Sequence, residues 1–479
     1  MSELLLNLGA NFARAAIPVI IDILAEYLRS QFAPAISQLQ RKEEASEVLV
    51  GFTPDLSEQE QEQLASESDA SIHQRTEALY SVQSRVDQIA LNVLGRVQPN
   101  KTEANLPGVA RVEQDLSQLE EHKVDSSWLT NIVRLTATPS MIGKLNKSKS
   151  VAFVLPNFEV KLPASVEITE ADVKQVQEQQ KTQKLTWGLD YLKIPDLWNQ
   201  GLTGENVLIG HLDTGVEAFH PDLQGKVKEF ALFDPRGQLI KCDPFDSGSH
   251  GTHTAGTIVG GDASGIAIGV APKAKLVSAL VLMRGSGTIW QIIKGMEWAV
   301  SRNVRILNLS LGGIGYNSAY EYAVTRIVAT GILPVCSVGN DGLAATGSPG
   351  NLGLACGVGA VGSNGEPASF SGGGSISWYN QVGQLIEVHK PDIVAPGVAI
   401  FSSLPQGRWG EMNGTSMAAP HLAGVAALLI QAKPTAPLSD LLQALYSTAN
   451  HPKALNGRAD SRFGRGILDP VAAVKRLIA

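Results

Sequence analysis

An α/β domain with a parallel central sheet flanked by helices, preceded by a small α+β module with extra helices, is the fold class the sequence predicts. Three observations carry it. From Trp187 onward, short apolar runs alternate with helical segments. Over residues 46–162 the order strand–helix–strand–helix–strand suits a small α+β module. Between the two, residues 163–184 turn polar and rich in Gln and Glu, as a linker and processing region would.

The elements follow in chain order. Residues 1–45 read as an N-terminal helical extension: Leu5, Leu8, Phe12, Ala15, Val19, Ile23, Leu24 and Leu28 recur near helical spacing, and Pro18 marks a kink or break. Such a stripe could meet a membrane surface or a partner. Its polar face is not notably basic, which favours packing against the protein itself. Ser46–Phe52 reads as a strand, and residues 56–95 as a polar, helix-rich stretch with Leu64, Ile72, Leu79, Val82, Val86, Ile89 and Val93 on its buried stripe, within a helical insertion near 56–125. Trp128–Ala137 reads as a second strand, Pro139–Leu145 as a short helix, and Val151–Leu155 with Phe158–Leu162 as a strand pair.

Over residues 185–479 strands are expected at Val207–Leu212, Leu276–Val281, Ile306–Leu309, Ile332–Val338 and Ile393–Ala395. Helices are expected at Ser286–Ser301, Ser318–Thr330, Ser416–Ala432 and Leu438–Thr448. Ligands of such sheets collect beyond the carboxyl ends of the strands, the side on which Asp213 and Asn340 would emerge.

Bulk properties exclude several classes. With 479 residues, 44% hydrophobic and 18% charged, the chain is a globular protein of two or three domains. A net charge of −7 argues against a nucleic-acid binder. Residues 1–180 hold 16 basic against 25 acidic side chains, and residues 181–479 hold 23 against 21. Two parts of opposite sign could attract, although a solvated acidic helix surface gives the same count. Cys242, Cys336 and Cys356 are odd in number and form no CxxC pair, so buried free thiols are expected rather than a disulfide framework or a zinc site. The apolar start lacks a basic leader and is broken by Glu3, Arg14, Asp22 and Glu26, so neither a signal peptide nor a membrane span is expected, and the cytoplasm is the default compartment.

Three segments carry the chemistry: Leu212-Asp213-Thr214-Gly215, Ser249-His250-Gly251-Thr252-His253-Thr254-Ala255-Gly256 and Asn413-Gly414-Thr415-Ser416-Met417-Ala418-Ala419-Pro420-His421. A serine hydroxyl barely ionises at neutral pH, so it becomes a nucleophile only beside a base that a third group orients. Taken singly, an Asp after a strand is a turn or cap residue and a Thr-Ser pair is noise. His250 and His253 lack HExxH spacing and a carboxylate at ligand distance, which disfavours a metal centre. Their joint occurrence in the order Asp, His, Ser is what points to peptide-bond cleavage.

These segments resemble the three signature motifs of subtilisin-like serine proteases, and the likeness runs from about Thr186 to the C-terminus. It implies Ser416 as nucleophile, His250 as general base and then acid, Asp213 as the group orienting the imidazole, and Asn340 as an oxyanion donor beside the Ser416 N–H, with Pro420 in the first turn of the helix that Ser416 starts. Asn308–Gly313 resembles the wall of the family's first substrate pocket, Ser337-Val338-Gly339-Asn340-Asp341 its oxyanion segment, and Gly285-Ser286-Gly287 its substrate-binding edge strand. The resemblance thus implies Ser310, Leu311, Gly312, Gly313, Ser337, Gly339 and Gly347 around the first pocket. Small lining residues suit a large apolar side chain, and Asp341 at the rim would suit a basic one. Asp222, with Gln183 and the loop Gly261–Ile268, matches a family calcium site, but Ala263 stands where a side-chain ligand is expected. No cofactor is implied for the chemistry, and calcium would be structural. Residues 46–162 are similar in arrangement to the family's propeptide. That implies a zymogen inhibited by its own N-terminal domain and cleaved by itself within 163–184, acting on protein or peptide substrates. A dedicated maturation protease for one partner and a catalytically silent binding scaffold are the alternatives.

Overall fold

The computed structural model describes residues 45–52, 125–130, 132–147, 151–162, 166, 184–379, 385–453 and 459–479. The helical extension expected at 1–45 apart from Ala45, the insertion expected near 56–125 apart from Asp125, and nearly all of the 163–184 linker lie outside these residues. The described residues divide into two compact units, one of residues 159–378 and 386–479 and one holding those up to 158 together with Tyr379 and Leu385.

In the smaller unit, β1 (Ser46–Phe52), β2 (Asp125–Ser127), β3 (Ile132–Ala137) and β4 (Val151–Pro156) form an antiparallel sheet in the order β2–β3–β1–β4. Val48, Leu49 and Val50 are all fully buried, as a central strand covered on both faces requires. Trp128–Thr130, expected as strand, is a turn in which the Thr130 N–H donates to Ser127 Oγ at 3.3 Å. Helix α1 (Pro139–Leu145) begins where Thr138 Oγ1 accepts the Met141 N–H at 3.3 Å, with Pro139 at a first-turn position that needs no donor. The expected pairing of Val151–Leu155 with Phe158–Leu162 does not form. Strand β5 (Glu159–Lys161) belongs instead to the larger unit and pairs there.

After β5 the larger unit continues with two short helices, α2 (Trp187–Tyr191) and α3 (Ile194–Trp198). Its sheet is built from β6 (Leu208–Asp213), β7 (Val227–Phe233), β8 (Leu239–Ile240), β9 (Lys275–Leu280), β11 (Ile306–Leu309), β13 (Leu333–Ser337), β15 (Cys356–Val361) and β18 (Ile393–Pro396). The order is β18–β15–β13–β11–β6–β9–β7–β8, parallel throughout except for the β7–β8 hairpin. Three of these strands, β7, β8 and β15, are not among those expected from sequence. Helix α4 (His250–Val259) was likewise not expected.

Between β9 and β11 run β10 (Ser286–Thr288) and α5 (Ile289–Val300). The helix expected from Ser286 starts three residues later because Thr288 caps it. Thr288 Oγ1 accepts the Gln291 N–H at 3.1 Å and Gln291 Oε1 accepts the Thr288 N–H at 3.3 Å, which leaves Ser286–Thr288 extended. Helix α6 (Ser318–Ala329) follows β11. Helix α7 (Thr415–Ala432) lies across β11, β13, β15 and β18 and is buried on nearly every side, which its apolar composition all round demands. Among the described residues it is the helix long and apolar enough to cross a membrane, and here it forms the core of the unit. Helices α8 (Leu438–Thr448) and α9 (Pro470–Ile478) close the far side, α9 capped by Asp469 accepting the Ala472 N–H at 3.0 Å.

Cys336 and Cys356 are buried free thiols, and burial pushes Cys356 up to about 12. Cys242 is free but exposed, contrary to expectation. Beneath the sheet, the fully buried Lys390 donates through Nζ to Asp392 Oδ2 at 2.5 Å and to the Ala355 carbonyl at 2.8 Å. The same carboxylate oxygen accepts the Gly357 N–H at 2.7 Å, so the pair ties β15 to the entry of β18. Replacing Lys390 by Ala would strand a buried carboxylate. The expected loss is about 3–5 kcal/mol, to be read as a lower urea midpoint at unchanged slope.

Candidate active site

Strands β6, β11 and β13 are neighbours, and the residues at and beyond their carboxyl ends are Asp213, Ser310 and Asn340. Adjacent parallel strands lie about 4.8 Å apart, so three segments distant in sequence reach one edge of the sheet. Helix α7 starts at the same edge and carries Ser416 in its first turn.

Asp213 is fully buried. Its Oδ1 accepts the His250 Nδ1–H at 2.8 Å and the Thr214 N–H at 2.7 Å, while Oδ2 is 3.1 Å from Thr254 Oγ1. Burial would raise the carboxyl, but the charge and hydrogen bond of His250, aided by the Thr214 N–H, hold it below the ordinary carboxylate range. His250 is the first residue of α4 and stays 17% exposed, so its ring edge reaches solvent. Burial would lower its pKa; Asp213's charge and hydrogen bond, with Asp246's charge, outweigh that and raise it.

Asp246 is not among the residues expected from sequence. Its Oδ1 accepts the Thr214 hydroxyl at 2.7 Å and the Gly248 N–H at 2.9 Å, and its Oδ2 accepts both the N–H and hydroxyl of Thr252 at 2.7 Å. It therefore caps the first turn of α4 and ties it to the loop after Asp213. An acid four residues before His250 was the available signal. Gly251 is required for the same approach, since a Cβ there would lie 2.0 Å from the Gly215 carbonyl oxygen. His253 donates through Nε2 to the Ile400 carbonyl at 2.8 Å and burial lowers it to about 3, so it is a neutral structural residue.

Ser416 is buried, and its hydroxyl donates to the Ser310 carbonyl at 3.3 Å rather than to His250. Pro420 lies in the second turn of α7, not the first as expected. Having no N–H, it leaves the Ser416 carbonyl without its helical donor, and the Ser310 hydroxyl supplies one at 2.9 Å. Ser310 and Ser416 are thus joined in both directions. Asn340 Oδ1 accepts the N–H and hydroxyl of Thr415, each at 2.9 Å, so its Nδ2 is free to donate on the Gly414 side.

The expected pocket residues converge. Gly313 and Ile314 pair with Ser348 and Gly347, the Gly347 N–H donates to the Val338 carbonyl at 2.8 Å, and a Cβ on Gly339 would sit 3.4 Å from the Gly347 nitrogen. Asp341 Oδ2 would lie 3.8 Å from that same Cβ, which puts a carboxylate beside Gly339. Edge strand β10 is already paired: Ser286, Gly287 and Thr288 face Lys161, Val160 and Glu159 of β5 in antiparallel register, and the Leu162 N–H donates to the Gly285 carbonyl at 2.8 Å. Glu159 Oε1 also accepts the Ser286 hydroxyl at 2.6 Å.

Asp222, the expected calcium ligand, is engaged by protein donors. Its Oδ1 accepts the Ala263 N–H at 2.7 Å and its Oδ2 the Trp409 Nε1–H at 2.5 Å. The Gly261 and Ala267 carbonyls accept the N–H groups of Ile268 and Thr186. Each of these oxygens already accepts a protein donor, so a cation there would have to share or displace those bonds. Gln183 lies outside the described residues. Among the described residues no group of three or more His, Cys, Asp or Glu side chains is arranged to hold a metal.

A buried acid oriented against a partly exposed imidazole, a serine at a helix N-terminus and an oriented amide are the parts that hydrolysis of the serine type needs. Residues 204–466 match the subtilase family, and the chain belongs to it as a subtilisin-type serine endopeptidase. It is 38% identical over 299 residues to subtilisin E of Bacillus subtilis, covering 61% of this chain and 72% of that one. Against the subtilisin of Bacillus pumilus the identity is 37% over 299 residues, covering 61% and 100%. Against subtilisin Savinase of Lederbergia lenta it is 36% over 294 residues, covering 61% and 100%.

Trp409→Phe removes the indole donor and leaves Asp222 Oδ2 short of a partner. The expected loss is about 1–3 kcal/mol, visible as a lower melting temperature that added calcium does not restore. Calcium rescue would show that the loop can accept a cation after all.

Proposed function

We propose that Ser416, His250 and Asp213 cleave peptide bonds through an acyl-enzyme, with Asn340 as oxyanion donor. The observation that carries this reading is the 2.8 Å bond from His250 Nδ1–H to the buried Asp213, beside a serine in the first turn of α7. The bond fixes the tautomer, so Nε2 is the basic nitrogen. When a substrate carbonyl arrives, the Ser416 hydroxyl turns from Ser310 to Nε2 and loses its proton as Oγ attacks. Negative charge develops on the carbonyl oxygen, which the Asn340 Nδ2–H and the Ser416 N–H receive together with the positive end of α7. Collapse passes the proton from Nε2 to the departing amine. Water repeats the sequence to free the acid and the serine.

The β5 segment supports a zymogen. It adds a strand to β10, the mode by which an extended peptide binds an exposed sheet edge. A substrate needing that edge must displace Glu159–Leu162, so the chain inhibits itself until it is cut in the 163–184 window. Ser310–Gly313, Ser337–Gly339 and Gly347 would line the first pocket. Their small side chains favour a large apolar residue. Asp222 holds no calcium in this reading, and the enzyme acts in the cytoplasm on protein or peptide substrates.

Ser416→Ala should abolish turnover and fluorophosphonate labelling and remain full length. The unmodified enzyme should yield a fragment starting within 163–184. Identical clipping of the alanine variant would sink self-processing. Asn340→Gly should lower kcat about 10²–10³-fold, the size of effect known for this donor in subtilisin, a relative. His250 works only as the neutral base. Because its folded pKa is raised, activity should fall, as pH is lowered, through a midpoint above 6.5 in kcat/KM.

A further inference from the structure

Behind Asp213 lies a buried titratable side chain that this chemistry leaves unused. His211 precedes Asp213 by two residues on β6, so both project from the same face of the strand. It is fully buried, and burial keeps its ring neutral despite the nearby carboxylates of Asp213 and Asp246. A neutral imidazole has one donor and one acceptor nitrogen. Here Nε2 lies 2.9 Å from Thr254 Oγ1 and Nδ1 lies 3.0 Å from Ser278 Oγ on β9. Thr254 stands four residues after His250 on α4, hence on the same face of the helix.

The protons can be assigned. Thr254 has one hydroxyl hydrogen and two carbonyl-type acceptors in reach, Asp213 Oδ2 and the Gly251 carbonyl, each at 3.1 Å. The ionised carboxylate is the stronger acceptor and takes it. The remaining contact of Thr254 Oγ1 must then be filled by a donor, so His211 carries its proton on Nε2. Its Nδ1 accepts from the Ser278 hydroxyl. Every donor in the chain Ser278, His211, Thr254, Asp213 then has an acceptor, with no proton left over.

We infer that Thr254, oriented by His211, is a positioning residue for the reaction: its hydroxyl holds Asp213 Oδ2 so that Oδ1 stays aligned on His250. This rests on the triad proposed above. Neither side chain reaches substrate, so the effect should appear in kcat and not in KM. Apart from each other, the titratable groups facing Asp213 and His250 are His211 from β6, Asp246 from the loop before α4, and His253 further along that helix. Losing the Thr254 donor leaves more of the carboxylate charge to act on His250.

The test compares Thr254→Val, which keeps the shape and removes the hydroxyl, with Thr254→Ser, which keeps the hydroxyl. For the valine variant kcat should fall about tenfold or more with KM unchanged, and the acid limb of kcat/KM should move to higher pH. The serine variant should restore both. Thr254→Ala makes the same comparison if valine lowers the melting temperature. His211→Gln, whose amide can replace the Nε2–H donor, should outperform His211→Leu. Wild-type kcat and pH profile in the valine variant would overturn the inference, as would a serine variant impaired as much as valine. Ser416→Ala separates the two levels: turnover there within about tenfold of wild type overturns the triad and this inference with it. A dead Ser416→Ala beside an unaffected Thr254→Val overturns this inference alone.

Discussion

A carboxylate with no exposed surface, at the end of a central strand, is the constraint around which the larger unit is arranged. Leaving Asp213 charged and unmatched would cost several kcal/mol, so donors must be brought to it from several directions. They come from its own following residue, Thr214, and from His250 and Thr254 on one face of α4. That helix must therefore sit tightly against the end of β6, which is why Gly251 cannot carry a side chain there. Asp246 completes the arrangement by joining Thr214 to Thr252. Stability and chemistry share one set of bonds, since the group that relieves the buried charge is the same imidazole that would act as base.

The same economy governs the start of α7. A proline in the second turn removes one helical bond, and the vacancy falls on the Ser416 carbonyl. The Ser310 hydroxyl fills it, which locks the segment after β11 to the helix N-terminus. Thr415 performs the matching task on the other side by orienting the Asn340 amide from the segment after β13. The helix thereby fixes two neighbouring strand ends at once, one through the Ser416 carbonyl and the other through the N–H and hydroxyl of Thr415. Pro420 is a residue that disturbs the helix locally in order to couple it to the sheet.

Much of this was legible in the sequence, for identifiable reasons. Ile306–Leu309 and Leu438–Thr448 are found with the bounds expected, because a buried parallel strand and an amphipathic helix each leave a periodic pattern. Cys356-Gly-Val-Gly-Ala-Val was passed over because two glycines lower strand propensity. In the fold those glycines are dictated by neighbours, since a Cβ on Gly357 would meet the Gly350 carbonyl at 2.2 Å. Val227–Phe233 alternates only weakly and carries charges, and β8 has just two residues. Within the site, Asp213, His250, Ser416 and Asn340 were accessible because each lies in a dense motif. Asp246, His211 and Thr415 were not, because their roles depend on which strand ends and helix turns meet. Strand β5 was mispaired for the same reason. Its partner lies 125 residues further along, counted from Lys161 to Ser286, and local pattern carries no information about that distance.

The buried acids also show how a single residue type is put to different uses by its donors. Asp392 is matched by an ammonium, Lys390, and neither partner can move without exposing the other. Asp222 is matched by an indole and a backbone N–H, a neutral set that holds the loop near Trp409. Asp213 is matched by hydroxyl, amide and imidazole groups, of which only the imidazole can change its charge within the physiological range. A proton arriving at His250 therefore strengthens the site that receives it and takes nothing from the rest of the network. The amide and hydroxyl donors keep Asp213 ionised and in place, so the carboxylate can stabilise the imidazolium without itself being protonated. What separates Asp213 from Asp392 and Asp222 is therefore less its burial than the presence, among its partners, of one imidazole left partly open to solvent.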